Sequence, residues 1–327
     1  MGITAVNTIS VSVGGLVSTT GPVVLTTTAP GAGNAITALG IIDSAAALTI
    51  TTPRSIALNL VEAVSLGIDA ASINLPAAVT TTGAAVLSAA ATGNITLGST
   101  FTVGGALTIT RAKAIGFTGL VTADSVAIAK GPSDSVETIS VGVGGITAEQ
   151  DLYLRTTVAG TGNGITTAGT LRAGDASLLT LDSARSIEVN AALAGGTLFA
   201  RGANLTLRGV TTVQDDVTLA SPGTISIQSD LTAGDRVSVT QAGVLSFGAK
   251  LTASDLSVAN TGSASFVGQV ALDHTAVLSL TGDLTTSAPF SAGDSFEVLT
   301  VRDASFSGLV SSPVIRVGTT SARLVTV

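Results

Sequence analysis

Aspartate returns at one recurring point of this chain. It closes "RAGD" at Asp175, "TAGD" at Asp235, "TASD" at Asp255 and "SAGD" at Asp294. Two such carboxylates on neighbouring segments would offer hard oxygen ligands. Asp235 and Asp255 are therefore the candidate Ca²⁺ ligands. A calcium ion wants about six to eight oxygens, and the Gly-Gly-x-Gly-x-Asp repeats of calcium-binding β-rolls are absent. The simpler account is an Asx-turn, in which each side chain accepts from a nearby backbone N–H. No cofactor is expected.

Other chemistry-bearing residues are sparse. His274 is the single histidine and Tyr153 the single tyrosine. A lone histidine without a partner acid or a second ligand is weak evidence for a base or a metal site, and a surface loop or turn is expected for both residues. The chain has no Cys, which removes disulfides, thiolate ligands and thiol nucleophiles. Glycan-cleaving solenoids need paired carboxylates on a strand face and aromatic platforms for the sugar rings. No carboxylate pair on a strand face is visible here, and there is no Trp. "AGTGNG" (159–164) has glycines but lacks the Lys and the strand–loop–helix setting of a phosphate cradle. It reads as a corner. The expectation is a protein with no catalytic residues.

A threonine column is a third possibility. Thr80, Thr102, Thr232, Thr252 and Thr285 fall at one phase of the pattern, with Ala271 interrupting. Regular outward threonines can order water, but a solvated β-branched face is the plainer reading.

The elements that position these residues follow from a repeat. "NITLGSTFTVGGALTIT" (94–110) and "TISIQSDLTAGDRVSVT" (224–240) each hold three short apolar/polar alternations. The first alternation recurs at Leu205-Leu207, Ile225-Ile227, Leu245-Phe247 and Ala264-Phe266. The third recurs at Val217-Leu219, Val237-Val239, Leu256-Val258, Leu278-Leu280 and Phe296-Val298. Three strands in a coil of about 20 residues predict an all-β, parallel β-solenoid, because one coil cannot bury its own apolar edges. Phase assigns the faces: Ile95 and Leu97 inward with Thr96 outward, Leu107 and Ile109 inward with Thr108 outward. Roughly 16 coils at ~4.8 Å predict a cylinder ~75 Å long.

A longer period lies above the coil. "TISVSVGG" (8–15) returns as "TISVGVGG" (138–145), "RSIALN" (54–59) as "RSIEVN" (185–190), and "VTADSVAIA" (121–129) as "LTASDLSVA" (251–259). The order and spacing predict one solenoid over 1–327. Within it a block of about 130 residues is duplicated (8–130 and 138–259), with 260–327 as terminal coils. Phe117 and Phe247 should hold equivalent interior positions. Links such as "TTTAPGAGNAI" (26–36) should bulge as loops.

Composition narrows the function. Of 327 residues, 11% are charged and 3% aromatic, while 45% are hydrophobic, mostly small or β-branched. That suits stacked strands better than an ordinary globular enzyme. Lys and Arg total 14 against a net charge of −7. Binding to nucleic acid or to an anionic membrane surface by charge neutralisation is not expected. Polar residues break every apolar run before it reaches ~18, so the chain is not expected to be membrane-embedded. No signal peptide is visible after Met1.

The coil pattern, with "NITLG…GGALTIT" and "ANLTLRG" (203–209), resembles the central repeats of filamentous-haemagglutinin-type exoproteins and autotransporter passengers. "FSAGDSFEVLTVRDASFSGLV" (290–310) looks like the terminal coils of giant secreted β-strand-repeat proteins. The resemblance implies a right-handed parallel β-helix in the extracellular space or at a bacterial cell surface, secreted and working in adhesion as a stalk or fibre. Partners would be a host or matrix surface, glycans, or neighbouring copies of the protein. The other reading is a structural filament, sheath or surface-layer subunit that self-assembles through its coil ends or faces.

Overall fold

An alternating strand hides every second side chain, and a parallel neighbour of the same pattern covers the edge it leaves open. The computed structural model of the protein is built this way throughout. It describes residues 1–193, 195–318 and 325–326. Every regular element among them is a β-strand, and the strands pair in parallel as stacked coils of about 20 residues. The end of the terminal coils, 319–324 and 327, lies outside the described residues. Two compact units are distinguished, 1–160 with 164–171, and 161–163 with 172–327.

In the second unit the register follows the spacing. Leu205 faces Ile225 and Leu207 faces Ile227. Ile225 faces Leu245, and Ile227 faces Phe247. Ile227 therefore stands in a column between Leu207 and Phe247, as predicted, and all three are buried. Interior rings continue the core. Phe247 stacks on Phe266 with centroids 5.3 Å apart, and Phe266 meets Phe290 edge-on at 5.4 Å.

One frame differs from the spacing. Leu256 faces Ala276 and Val258 faces Leu278, while Leu280 pairs with Thr261 after a bulge. Ala276 and Leu278 are thus the register partners of Leu256 and Val258, and Leu280, also buried, lies past the bulge on the same inward face. Leu278-Leu280 is the bulkier pair, but the ladder is set by backbone register, and a slip of two keeps the same face inward. Ala276 is fully buried.

In the first unit Ile95 and Leu97 lie in register with Ile115 and Phe117, and all four are buried. Phe117 and Phe247 each close the inward pair of a coil's first strand, as the spacing predicts. Strands here are long. Asn34–Thr51 and Phe101–Phe117 run through corners instead of stopping at them. They bend at register shifts such as Ala38/Ile41 and Val103/Ala106, where an extra residue kinks a strand. Residues 28–33 form the expected loop. Arg54 crosses it, donating through Nη2 to Ala32 O (2.7 Å) and Asn34 O (3.3 Å), and through Nη1 to Asn7 O (3.3 Å).

One turn recurs 130 residues on. Gly15 and Gly145 have φ of +79° and +76°. A Cβ at either would meet a carbonyl oxygen of the next coil, Ile41 O at 2.6 Å or Thr170 O at 2.3 Å. Only glycine fits both the dihedral and the contact.

Candidate functional site

The corner aspartates do not pool their carboxylates. Arg236, not Asp235, is the register partner of Asp255. Asp235 offers its backbone oxygen to Ser254 N (2.7 Å) and Asp255 N (3.2 Å). The Asp255 side chain reaches the other way, to the following coil. Its Oδ1 accepts from Thr275 N (3.0 Å) and from the Thr275 hydroxyl (2.5 Å). The Thr275 hydroxyl, with help from its N–H, Arg236 and His274, holds the Asp255 carboxyl below its usual range. This is not the local Asx-turn that the sequence suggests. Among the described residues no three His, Asp or Glu side chains gather as metal ligands.

Reaching one coil along is general. Asp216 accepts from Arg236 N (3.2 Å), Asp230 from Lys250 N (3.1 Å), and Asn204 from Thr224 N (2.9 Å), each 20 residues on. Several ion pairs keep the same step. Arg201 clasps Asp182 through two bonds (2.9 and 3.0 Å), Arg208 bonds Glu188 (2.9 Å), and Arg316 bonds Glu297 (2.9 Å). Arg302 takes both oxygens of Asp283 (2.8 and 2.6 Å), which raises its pKa further. Stacking brings residues 19–20 apart to adjacent strands, ~4.8 Å away. These side chains join one coil to the next.

His274 has a partner that the sequence does not reveal. Its Nδ1 lies 3.1 Å from Asp294 Oδ2, 20 residues on. Ser254, His274 and Asp294 occupy one corner of three successive coils, each linked backbone to backbone. The order is that of a nucleophile, base and orienting acid, but the geometry is not. The Ser254 hydroxyl donates to Gly234 O (3.0 Å) on the coil before it, away from His274. Both His274 and Asp294 are about two-thirds exposed, so no water-excluding pocket surrounds them. Tyr153 is not in a loop. It points outward from the strand Leu152–Thr156, with Lys130 Nζ 5.8 Å from its ring centre.

A second correction concerns carboxylates on a strand face. Asp43 and Glu62 are register partners on Asn34–Thr51 and Ser55–Ala70. Neither carboxylate has a hydrogen bond or ion pair among the described residues. With Ser44, Val64, Thr80 and Thr82 they line a shallow groove of about 240 Å³. Like charges in register oppose one another. Glycosidic hydrolysis uses a pair of carboxyl groups, one to attack or activate water and one to protonate the leaving oxygen. No aromatic side chain lines the groove to seat a sugar.

Hydroxyls do form columns, in a different arrangement from the one expected. Thr80, Thr102, Thr122 and Thr147 are consecutive partners in the first unit. Thr212, Thr232 and Thr252 are consecutive in the second, and Ala271 breaks that column as predicted. Thr285 belongs elsewhere. It sits between Ser265 and Ser305 on the first strand, in the run Thr206, Ser226, Ser246, Ser265, Thr285, Ser305. Its outward phase is legible in the sequence, but its strand is not, because Thr recurs outward on all of them.

Comparison with protein-family models, curated proteins and solved structures gives no match. The repeat architecture of stacked parallel coils stands on the structure. No helix among the described residues is long and apolar enough to cross a membrane.

Proposed function

We propose that this chain is a non-enzymatic, secreted or cell-surface β-helical protein of the bacterial exoprotein type, working in adhesion through its outer faces. The observation that carries the reading is where the polar groups go. Charged pairs such as Arg208 with Glu188 and Arg302 with Asp283 link coil to coil, and the strand faces carry hydroxyl columns such as Thr206 to Ser305. Such a face offers many equal hydrogen-bonding groups at ~4.8 Å intervals. Each contact with a glycan or host surface is weak, and repetition supplies avidity. The His274–Asp294 pair is exposed and has no nucleophile aimed at it, which favours the non-catalytic reading.

A second reading is a filament or surface-layer subunit whose faces associate with those of neighbouring copies. The hydroxyl columns favour it too, since hydroxyls both donate and accept, so two such faces can bond to each other. Electron microscopy of the purified protein separates the two. Adhesion predicts short, uniform rods that bind a polysaccharide or cell surface. Self-assembly predicts long filaments or sheets at the same concentration.

A further inference from the structure

Two copies of one loop differ where chemistry is sensitive to the difference. Residues 26–40 read TTTAPGAGNAITALG, and residues 155–169 read RTTVAGTGNGITTAG. Asn34 and Asn163 hold the same place. Both are exposed and both begin a strand, Asn34–Thr51 or Asn163–Arg172. Each follows a glycine at positive φ, Gly33 at +76° and Gly162 at +79°. Asn34 is followed by Ala35, whereas Asn163 is followed by Gly164, the one Asn-Gly pair in the sequence.

We propose that Asn163 is a site of spontaneous deamidation and that its copy, Asn34, is not. The backbone nitrogen of Gly164 attacks Cγ of the Asn163 side chain. A new N–C bond closes a five-membered succinimide. The bond between Cγ and Nδ2 breaks, and the amide leaves as ammonia, carrying the proton lost from the Gly164 nitrogen. Water then opens the ring at either carbonyl, giving aspartate or isoaspartate. A glycine has no Cβ to hinder the approach, and Asn163 is the exposed first residue of its strand. Ala35 presents that Cβ in the other copy.

The consequence is local and charged. Asn163 Nδ2 donates to Glu188 Oε2 at 3.0 Å, while Glu188 Oε1 accepts from Arg208 Nε at 2.9 Å. Deamidation replaces the donor with a second carboxylate facing Glu188, which repels it. The loop end beside it, where Arg185 Nη1 donates to Thr161 O at 3.3 Å, loses one of its ties. In the first copy Ala57 stands where Glu188 stands, so no equivalent acid awaits. The reaction acts as a clock on one loop of two.

The test is to age the purified full-length protein at mildly alkaline pH and to map each asparagine by peptide mass spectrometry with isoaspartyl-methyltransferase labelling. The expected result is gain of one mass unit and isoaspartate at 163, with 34 unmodified over the same time. Gly164→Ala should bring 163 down to the behaviour of 34. Ala35→Gly should bring 34 up to that of 163, and it serves where the first variant fails to fold. Equal rates at the two sites overturn the proposal. So does modification of Asn163 that occurs only in urea, since the folded protein would then be protecting it.

Discussion

Asp255 grips Thr275 twice, through the backbone N–H at 3.0 Å and the hydroxyl at 2.5 Å, across the step between two coils. The pairing commits Asp255 Oδ1 to the following coil. It also makes stability depend on acid. The folded carboxyl titrates below its ordinary value of 3.8. A lowered pKa means stability that is complete above the unfolded value and lost as pH falls through the folded one. Asp255→Asn should therefore flatten the acid limb of the stability curve below about pH 4. Urea midpoints measured at neutral pH and in that acid window check it. An unchanged acid limb would show that the pair contributes nothing. The group is half-buried at the surface, where solvent screens the pair, so the effect is small.

Ile227 tests the phase of the interior. Ile227→Asp places an unpaired charge between Leu207 and Phe247 and should cost roughly 3–5 kcal/mol. Ser226→Asp, on the outer face of the same strand, should change stability by less than about 0.5 kcal/mol. Thermal melts of the two variants compare them directly. Equal losses would place both side chains on the same kind of surface.

The period of two and the coil of about 20 are legible because burial repeats steadily along the second block. Ile227 and Phe247 are predictable neighbours for that reason. The features that escape the sequence share one cause. His274–Asp294 joins residues a coil apart, and such pairs are invisible until the register is known. Asp43–Glu62 is harder, since long strands with bulges vary the coil length in the first block, and no constant offset links the two. Ala276 and Leu280 both face inward, and only register shows that Ala276, not Leu280, pairs with Leu256.

The ring stack gives a third prediction. Phe266 touches Phe247 on one side and Phe290 on the other, fully buried. Phe266→Ala should cost about 3–5 kcal/mol through lost burial and a cavity. Phe266→Leu should recover much of it. A loss under about 1 kcal/mol in chemical denaturation of the alanine variant would mean that the neighbouring coils collapse freely into the space.

Glycines separate by what stands over them. A Cβ at Gly234 would lie 1.8 Å from Gln214 O, whereas a Cβ at Gly116 meets nothing within 4 Å. Gly234→Ala must push two coils apart and should destabilise by more than about 1 kcal/mol. Gly116→Ala, on a strand interior, should be neutral or stabilise by about 0.4–1 kcal/mol. Melting temperatures that fall equally would refute the distinction.

The central claim, work by surface and not by catalysis, is tested most directly at Asp43 and Glu62. The purified protein and its Glu62→Gln variant should be incubated with a panel of acidic and neutral polysaccharides, and bound glycan and released reducing ends measured together. The account predicts retention of glycan by both proteins with no reducing ends from either. Release of reducing ends by the native protein, abolished in Glu62→Gln, would contradict it.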